Sequence, residues 1–222
     1  MIEILFKSKD FLVCVKPQGI PSQPDTTGCE AMTSYLCAKL KESNESCELF
    51  VVHRLDRATG GLIVYARNKN SAAEFSRLVS EKDGFEKHYR AVISGVPTDQ
   101  SGNMTDYLFK DGAQKKAFVV KNERKGAKIA SFDYEVVKTV NCNEKVFSLM
   151  EIKLNTGRFH QIRAQLSSRG MPIFGDGKYG SREKAQHFAL WASKLRFTYK
   201  GKLYEFEKQP DFNTIPWNLF NN

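Results

Sequence analysis

Residues 129–140, IASFDYEVVKTV, and 146–154, VFSLMEIKL, decide the fold class. Both runs are dense in β-branched and aromatic side chains, which fit a pleated, half-buried surface. Working outward, residues 87–96 (KHYRAVISGV) alternate in the same way, and Asp111-Gly112 reads as a hairpin turn. Residues 195–207 fold back at Lys200-Gly201. Upstream, strands are expected at 2–6 and 11–15 around Ser8-Lys9-Asp10, and at 51–55 and 61–67 around the loop 56–60. Pro17, Pro21 and Pro24 impose an extended loop over the ten residues after the second strand. Three helices fall between strands. One covers 29–42, with Met32, Leu36 and Leu40 on one face. Another covers 71–81, with a capping box of Ser71 and Glu74 and a stripe of Phe75, Leu78 and Val79. The third covers 158–169, with Phe159, Ile162 and Leu166 in line and Gly170 as its stop. Strands outnumber helices, so the expectation is an α+β fold, a mainly antiparallel mixed β-sheet with helices packed on it. No linker or repeat divides the chain, and a single domain over 1–222 is expected.

Composition narrows the class. A chain of 222 residues with 41% hydrophobic and 27% charged residues is ordinary globular material, not a disordered chain, a fibrous repeat or a disulfide miniprotein. Five cysteines, an odd number without a C-x-x-C pair, suggest a reducing compartment and no structural zinc site. The N-terminus mixes acid and base within its apolar stretch, unlike a signal peptide, and no run of 18 apolar residues is present. A cytoplasmic protein without a membrane span is the expectation. Lys and Arg number 34 against 25 Asp and Glu, a net charge of +9 that suits a polyanionic partner. The excess is concentrated between Lys110 and Lys128, where seven basic residues, Lys115 and Lys116 among them, meet two acids. That pattern fits a finger lying along phosphates, and equally a hairpin kept soluble by its lysines.

Three segments carry candidate chemistry. In HRLDRATGGL at 53–62, Asp56 follows an apolar strand, is flanked by Arg54 and Arg57, and precedes a Thr-Gly-Gly turn. A carboxylate ringed by arginines stays ionised and can serve as nucleophile or general base, or simply cap a turn. Two adjacent glycines suit a tight backbone or the close approach of a ligand. The phrase His-Arg-Leu-Asp echoes a kinase catalytic loop, but neither a glycine-rich phosphate loop nor an Asp-Phe-Gly accompanies it. In NTGRFHQIR at 155–163, a Thr-Gly turn opens a helix bearing Arg158, His160, Gln161 and Arg163, an anion site or a polar outer face. In EKHYR at 86–90, Tyr89 sits on a strand among basic neighbours, where it can pack in the core or stack on a nucleobase. The four histidines are too widely spaced to suggest a metal site, and no glycine loop of a nucleotide or dinucleotide cofactor appears.

In order along the chain, Lys16-Pro17 with Gly19, HRLDRATGGL at 53–62, KHYRAVISG at 87–95, TGRFHQIRAQL at 156–166 and GDGKYG at 175–180 resemble the RluA-type pseudouridine synthases. ALWASKLRF at 189–197 is similar to the family's closing strand region, so the likeness spans roughly residues 10 to 200. The family pattern has Thr-Ser-Gly where this chain has Thr59-Gly60-Gly61, and histidine is frequent where Gln165 and Trp191 stand. The resemblance implies a short form without an N-terminal RNA-binding module, and a catalytic cleft along the sheet. It implies RNA uridine isomerisation without cofactor or metal, on structured ribosomal or transfer RNA; the sequence is silent on oligomeric state, and a monomer is the expectation. It makes Asp56 the catalytic aspartate, Arg163 its pairing arginine and Tyr89 the ring against the target base. It makes Arg54 the side chain that fills the gap left by the flipped base. Arg57, Arg158, His160, Gln161, Lys115 and Lys116 are then expected to contact RNA. Two rivals on the same residues are an RNA-binding module without catalysis and a hydrolase of N-glycosidic bonds.

Overall fold

The computed structural model describes residues 2–25, 28–81 and 84–221. In chain order its elements begin with β1 (Glu3–Lys7), β2 (Phe11–Lys16), α1 (Met32–Glu42), β3 (Phe50–Val51), β4 (Gly60–Ala66) and α2 (Lys69–Ser80). Then come β5 (Phe85–Ser94), β6 (Ser101–Asp111), β7 (Lys116–Val120), β8 (Ala127–Cys142), β9 (Lys145–Leu154), α3 (Gln161–Ser168), β10 (Leu190–Tyr199) and β11 (Lys202–Glu207). Single 3-10 turns lie at Gly177–Tyr179 and Trp217–Phe220. The class is α+β with mostly antiparallel strand pairing, as the alternation predicts. None of the helices among the described residues is long and apolar enough to cross a membrane.

The residues fall into two compact units. One comprises Met1–Lys87 and Trp191–Gln209, the other His88–Leu190 and Pro210–Asn222. The first has strand order β1-β2-β4-β10, with β3 on β4 and β11 on β10. Every residue of β2 and β4 is buried, so these central strands read as continuous apolar runs. On this sheet lies an aromatic cluster of Phe11, Phe75, Phe85, Phe197 and Tyr199, with Phe75 stacked on Tyr199 at 4.9 Å and Phe85 on Phe197 at 5.0 Å. Burying each such ring contributes roughly 1.5–3 kcal/mol, so the face of α2 that carries Phe75 and Leu78 is held chiefly by this packing.

In the second unit the order is β5-β9-β8-β6-β7. Here α3 and the turn at Gly177–Tyr179 cover a small cluster of Leu108, Ala117, Ala130, Ala164 and Tyr179.

Five local expectations change, the first being that α1 begins at Met32 rather than Cys29. The helix α2 starts at Lys69 with Asn68 as its cap, because Asn68 accepts the Ser71 amide at 2.9 Å. The Ser71 hydroxyl donates instead to the Asp10 carbonyl at 2.6 Å. The strand expected over 51–55 stops at Val51. The helix expected from 158 begins at Gln161, since His160 adopts a left-handed backbone (φ 50°). The extended loop expected over the ten residues after β2 reaches Thr26, which lies outside the described residues. Finally, Cys37 and Cys47 form a disulfide, which a reducing compartment would not favour. The cause is the end of α1: left-handed Asn44 reverses the chain, with Glu45 N–H bonded to Leu40 O and Asn44 N–H to Lys41 O, both at 3.0 Å.

Candidate active site

In the first unit, Asp56 opens a tight turn closed by the Thr59 amide on the Asp56 carbonyl at 3.0 Å. Asp56 is half-buried, whereas Arg54 and Arg57 are exposed. The turn is sewn to residues 16–22. Gly19 N–H donates to Arg57 O at 2.8 Å, and Arg57 Nε returns a bond to Gly19 O at 2.8 Å. The Gln18 amide donates to Ala58 O at 2.9 Å. One hydroxyl, that of Ser22, both accepts from the Leu55 amide and donates to the Leu55 carbonyl, each at 3.1 Å. Gly19 is glycine for a reason, because its φ is +88° and the chain must turn back on the 56–59 loop there.

Lys16 is the residue that sequence reasoning undervalued. Its side chain is wholly buried, and Nζ donates to the carbonyls of Pro17 (2.9 Å), Ile20 (2.8 Å) and Arg57 (3.0 Å). Burial pulls its amine down to about 7, opposed by the charge of Asp56. Three acceptors match the three N–H groups of an ammonium, so the bonding favours the charged form. Lys16, buried beneath the loop, is thereby coupled through its charge to Asp56. The adjacent glycines answer to packing. A β-carbon on Gly61 (φ +110°) would lie 2.2 Å from the Ala192 carbonyl oxygen.

In the second unit, Gln161 is 3% exposed and its amide points inward. Its Oε1 accepts from Thr156 Oγ1 (2.7 Å) and Arg158 N–H (3.0 Å), and its Nε2 donates to Ser131 O (3.0 Å). These bonds fix the turn that leads into α3. Arg158 is exposed and donates from Nε to Ile129 O at 2.9 Å. The His160 ring stacks on Phe159 at 3.7 Å, and its Nδ1 lies 3.0 Å from the Tyr179 hydroxyl. That hydroxyl also accepts from the Ala117 amide of β7 at 2.8 Å. Lys116 lies over the Tyr179 ring at 4.9 Å, while Lys115 is exposed at the hairpin tip. Tyr89 is 6% exposed on β5. Arg163 is 6% exposed, forms a forked pair with Asp176, and lies between the rings of Tyr179 (4.8 Å) and Phe188 (4.3 Å). Thus His160, Arg163 and Lys116 converge on Tyr179, a residue the sequence reading quoted only within GDGKYG. Among the described residues no cluster of His, Cys, Asp and Glu could hold a metal ion.

A family model described as RNA pseudouridylate synthase matches residues 10–168, the span that contains both the Asp56 turn and Arg163. The chain belongs to this family. RNA pseudouridine synthases are isomerases, and the enzyme class follows from the membership. The chain is similar to an uncharacterized RNA pseudouridine synthase of Haemophilus influenzae, 33% identical over 89% of this chain and 83% of that protein. It is similar also to a ribosomal large subunit pseudouridine synthase D of Zymomonas mobilis, 29% identical over 94% of this chain and 69% of that protein. The solved human RNA pseudouridylate synthase domain containing 4 shares the fold, with TM-score 0.77, 24% identity, and coverage of 95% of this chain and 89% of that one.

Proposed function

We propose that this chain converts specific uridines of structured ribosomal or transfer RNA to pseudouridine, with Asp56 as the reacting carboxylate. The observation that carries this reading is the Asp56 turn, whose backbone is fixed by Lys16, Gln18, Gly19 and Ser22 while Asp56 is half-buried. The name of the Zymomonas relative favours ribosomal RNA.

The reaction must break the N1–C1′ bond, turn the freed uracil and join C5 to C1′. A stacked base cannot do this, so it is flipped out at a cost of a few kcal/mol, which an inserted Arg54 and phosphate contacts offset. Asp56 attacks C1′, as in retaining glycosidases, adds to C6 of the ring, or removes a sugar proton. Each route needs the carboxylate ionised, and in this reading Arg163 pairs with it and favours that form. Tyr89 packs against the base and is a candidate for removing the C5 proton. No redox change or energy input is involved, so the chemistry calls for no cofactor. Lys115, Lys116, Arg57, Arg158 and His160 supply RNA contacts, and the protein acts as a monomer.

The test is chemical mapping of pseudouridine in RNA treated with the protein and with Asp56→Asn. The variant is expected to make no product yet still bind RNA, with an affinity that falls steeply as salt is added. Product from Asp56→Asn would overturn the mechanism, and free uracil from the unaltered protein would show a hydrolase.

A further inference from the structure

We propose that Asp176 is a positioning residue that sets the angle of the Arg163 guanidinium for catalysis; this rests on the catalytic reading of Arg163 above. Arg163 Nε donates to Asp176 Oδ2 at 2.6 Å and Nη2 to Oδ1 at 2.9 Å. The two side chains are 7% and 1% exposed. A two-bond fork fixes the guanidinium plane as well as its place, which a single bond to an ammonium would not do. The rings of Tyr179 and Phe188, at 4.8 and 4.3 Å, limit tilting of that plane. Asp176 occupies the Nε–Nη2 edge, so the direction of the Nη1 end is set by this pair.

Asp176 is itself held. Its carbonyl accepts from Tyr179 N–H at 2.9 Å and Ser181 N–H at 3.1 Å. Ser167 of α3 donates from its hydroxyl to Tyr179 O at 2.6 Å, tying the 176–179 turn to the helix that bears Arg163. Gly175 before it has φ +81°, and a β-carbon there would lie 2.8 Å from that of Ala185, so the approach to the turn tolerates no larger residue. A buried ion pair is a poor source of stability, because desolvation offsets its attraction. A forked, doubly supported pair at this position therefore answers to geometry. Without it, the two rings would still limit tilt but would not fix the direction of the guanidinium within its own plane.

The experiment compares Asp176→Asn, Asp176→Glu, Arg163→Lys and the Asp176→Asn/Arg163→Lys double variant. It measures the single-turnover rate of pseudouridine formation, RNA affinity and Tm. Both Asp176 variants should lose rate by up to about 100-fold, the scale of a misplaced catalytic group, at unchanged RNA affinity. Asp176→Glu retains the charge and so separates misplacement from misfolding. In the Arg163→Lys background, where no fork can form, Asp176→Asn should cost far less rate than in the unaltered protein. A full rate with either Asp176 variant, or equal losses in both backgrounds, would overturn the proposal. A full rate with Arg163→Lys would instead overturn the catalytic reading of Arg163.

Discussion

Gly60 lies directly under the indole of Trp191: a β-carbon at position 60 would sit 2.4 Å from Cζ3 and 2.6 Å from Cε3 of that ring. The two residues are register partners in the parallel pairing of β4 with β10. They are also two of the places where the chain departs from the family pattern, glycine for serine at 60 and tryptophan where histidine is frequent at 191. In this structure the two are sterically linked, since the large ring occupies the space that a side chain at 60 would need. The indole is anchored by its Nε1–H to Lys208 O at 2.7 Å and cannot easily swing away.

Gly60→Ser should therefore destabilise the protein by about 1–3 kcal/mol, as overpacking does. Gly60→Ser combined with Trp191→His should cost less than the two single changes added together. Urea denaturation of the four proteins measures the coupling, and strict additivity would show that the residues do not compete for space.

Lys16→Met keeps the apolar stem and removes the three donors that hold Pro17, Ile20 and Arg57 carbonyls. The Arg57 carbonyl keeps the Gly19 amide, but those of Pro17 and Ile20 lose the Lys16 donor, and a buried carbonyl left without a partner costs about 1–3 kcal/mol. The Asp56 turn loses a bond to Arg57 O, so turnover should fall together with Tm. A melting curve that matches the unaltered protein would contradict this role.

His53 links stability to pH. Its ring is buried, and Nε2 accepts the Val64 amide at 3.0 Å. Burial, with the Lys87 charge adding to it, pushes the imidazole from 6.5 down to about 3. The unfolded chain takes up this proton near 6.5 and the folded chain only near 3, so stability is complete above 6.5 and falls as pH drops towards 3. His53→Gln keeps an acceptor for Val64 and removes the titration. Its stability should fall less over that acid range in urea melts at stepped pH. Parallel losses in the two proteins would sink the assignment.

Alternation made the strands legible, because side-chain direction along a strand has a period of two. The Lys200-Gly201 reversal was legible for a similar local reason: both residues take positive φ, 50° and 75°. Element ends were less so. Helix α3 begins late because a left-handed His160 and the inward amide of Gln161 close the Thr156 turn first. Ser71 failed as a cap because Asp10, 61 residues away, takes its hydroxyl. The disulfide escaped notice because only the reversal at Asn44 brings Cys37 and Cys47 to a Cα separation of 4.8 Å. Nor could the two compact units be read, since each is assembled from two separated stretches of chain with no linker composition at their borders.

By itself the sequence determined the α+β class, the family, and the identity of Asp56 and Arg163 as candidates, because periodicity and motif order are properties of the chain. The tertiary structure alone decided who holds whom. Arg163 meets Asp176 thirteen residues on, Lys16 reaches the Arg57 carbonyl 41 residues away, and Tyr179 receives the amide of Ala117 from 62 residues away. Hydrogen bonds and buried charges take their partners by distance in space, and no spacing along the chain encodes that distance.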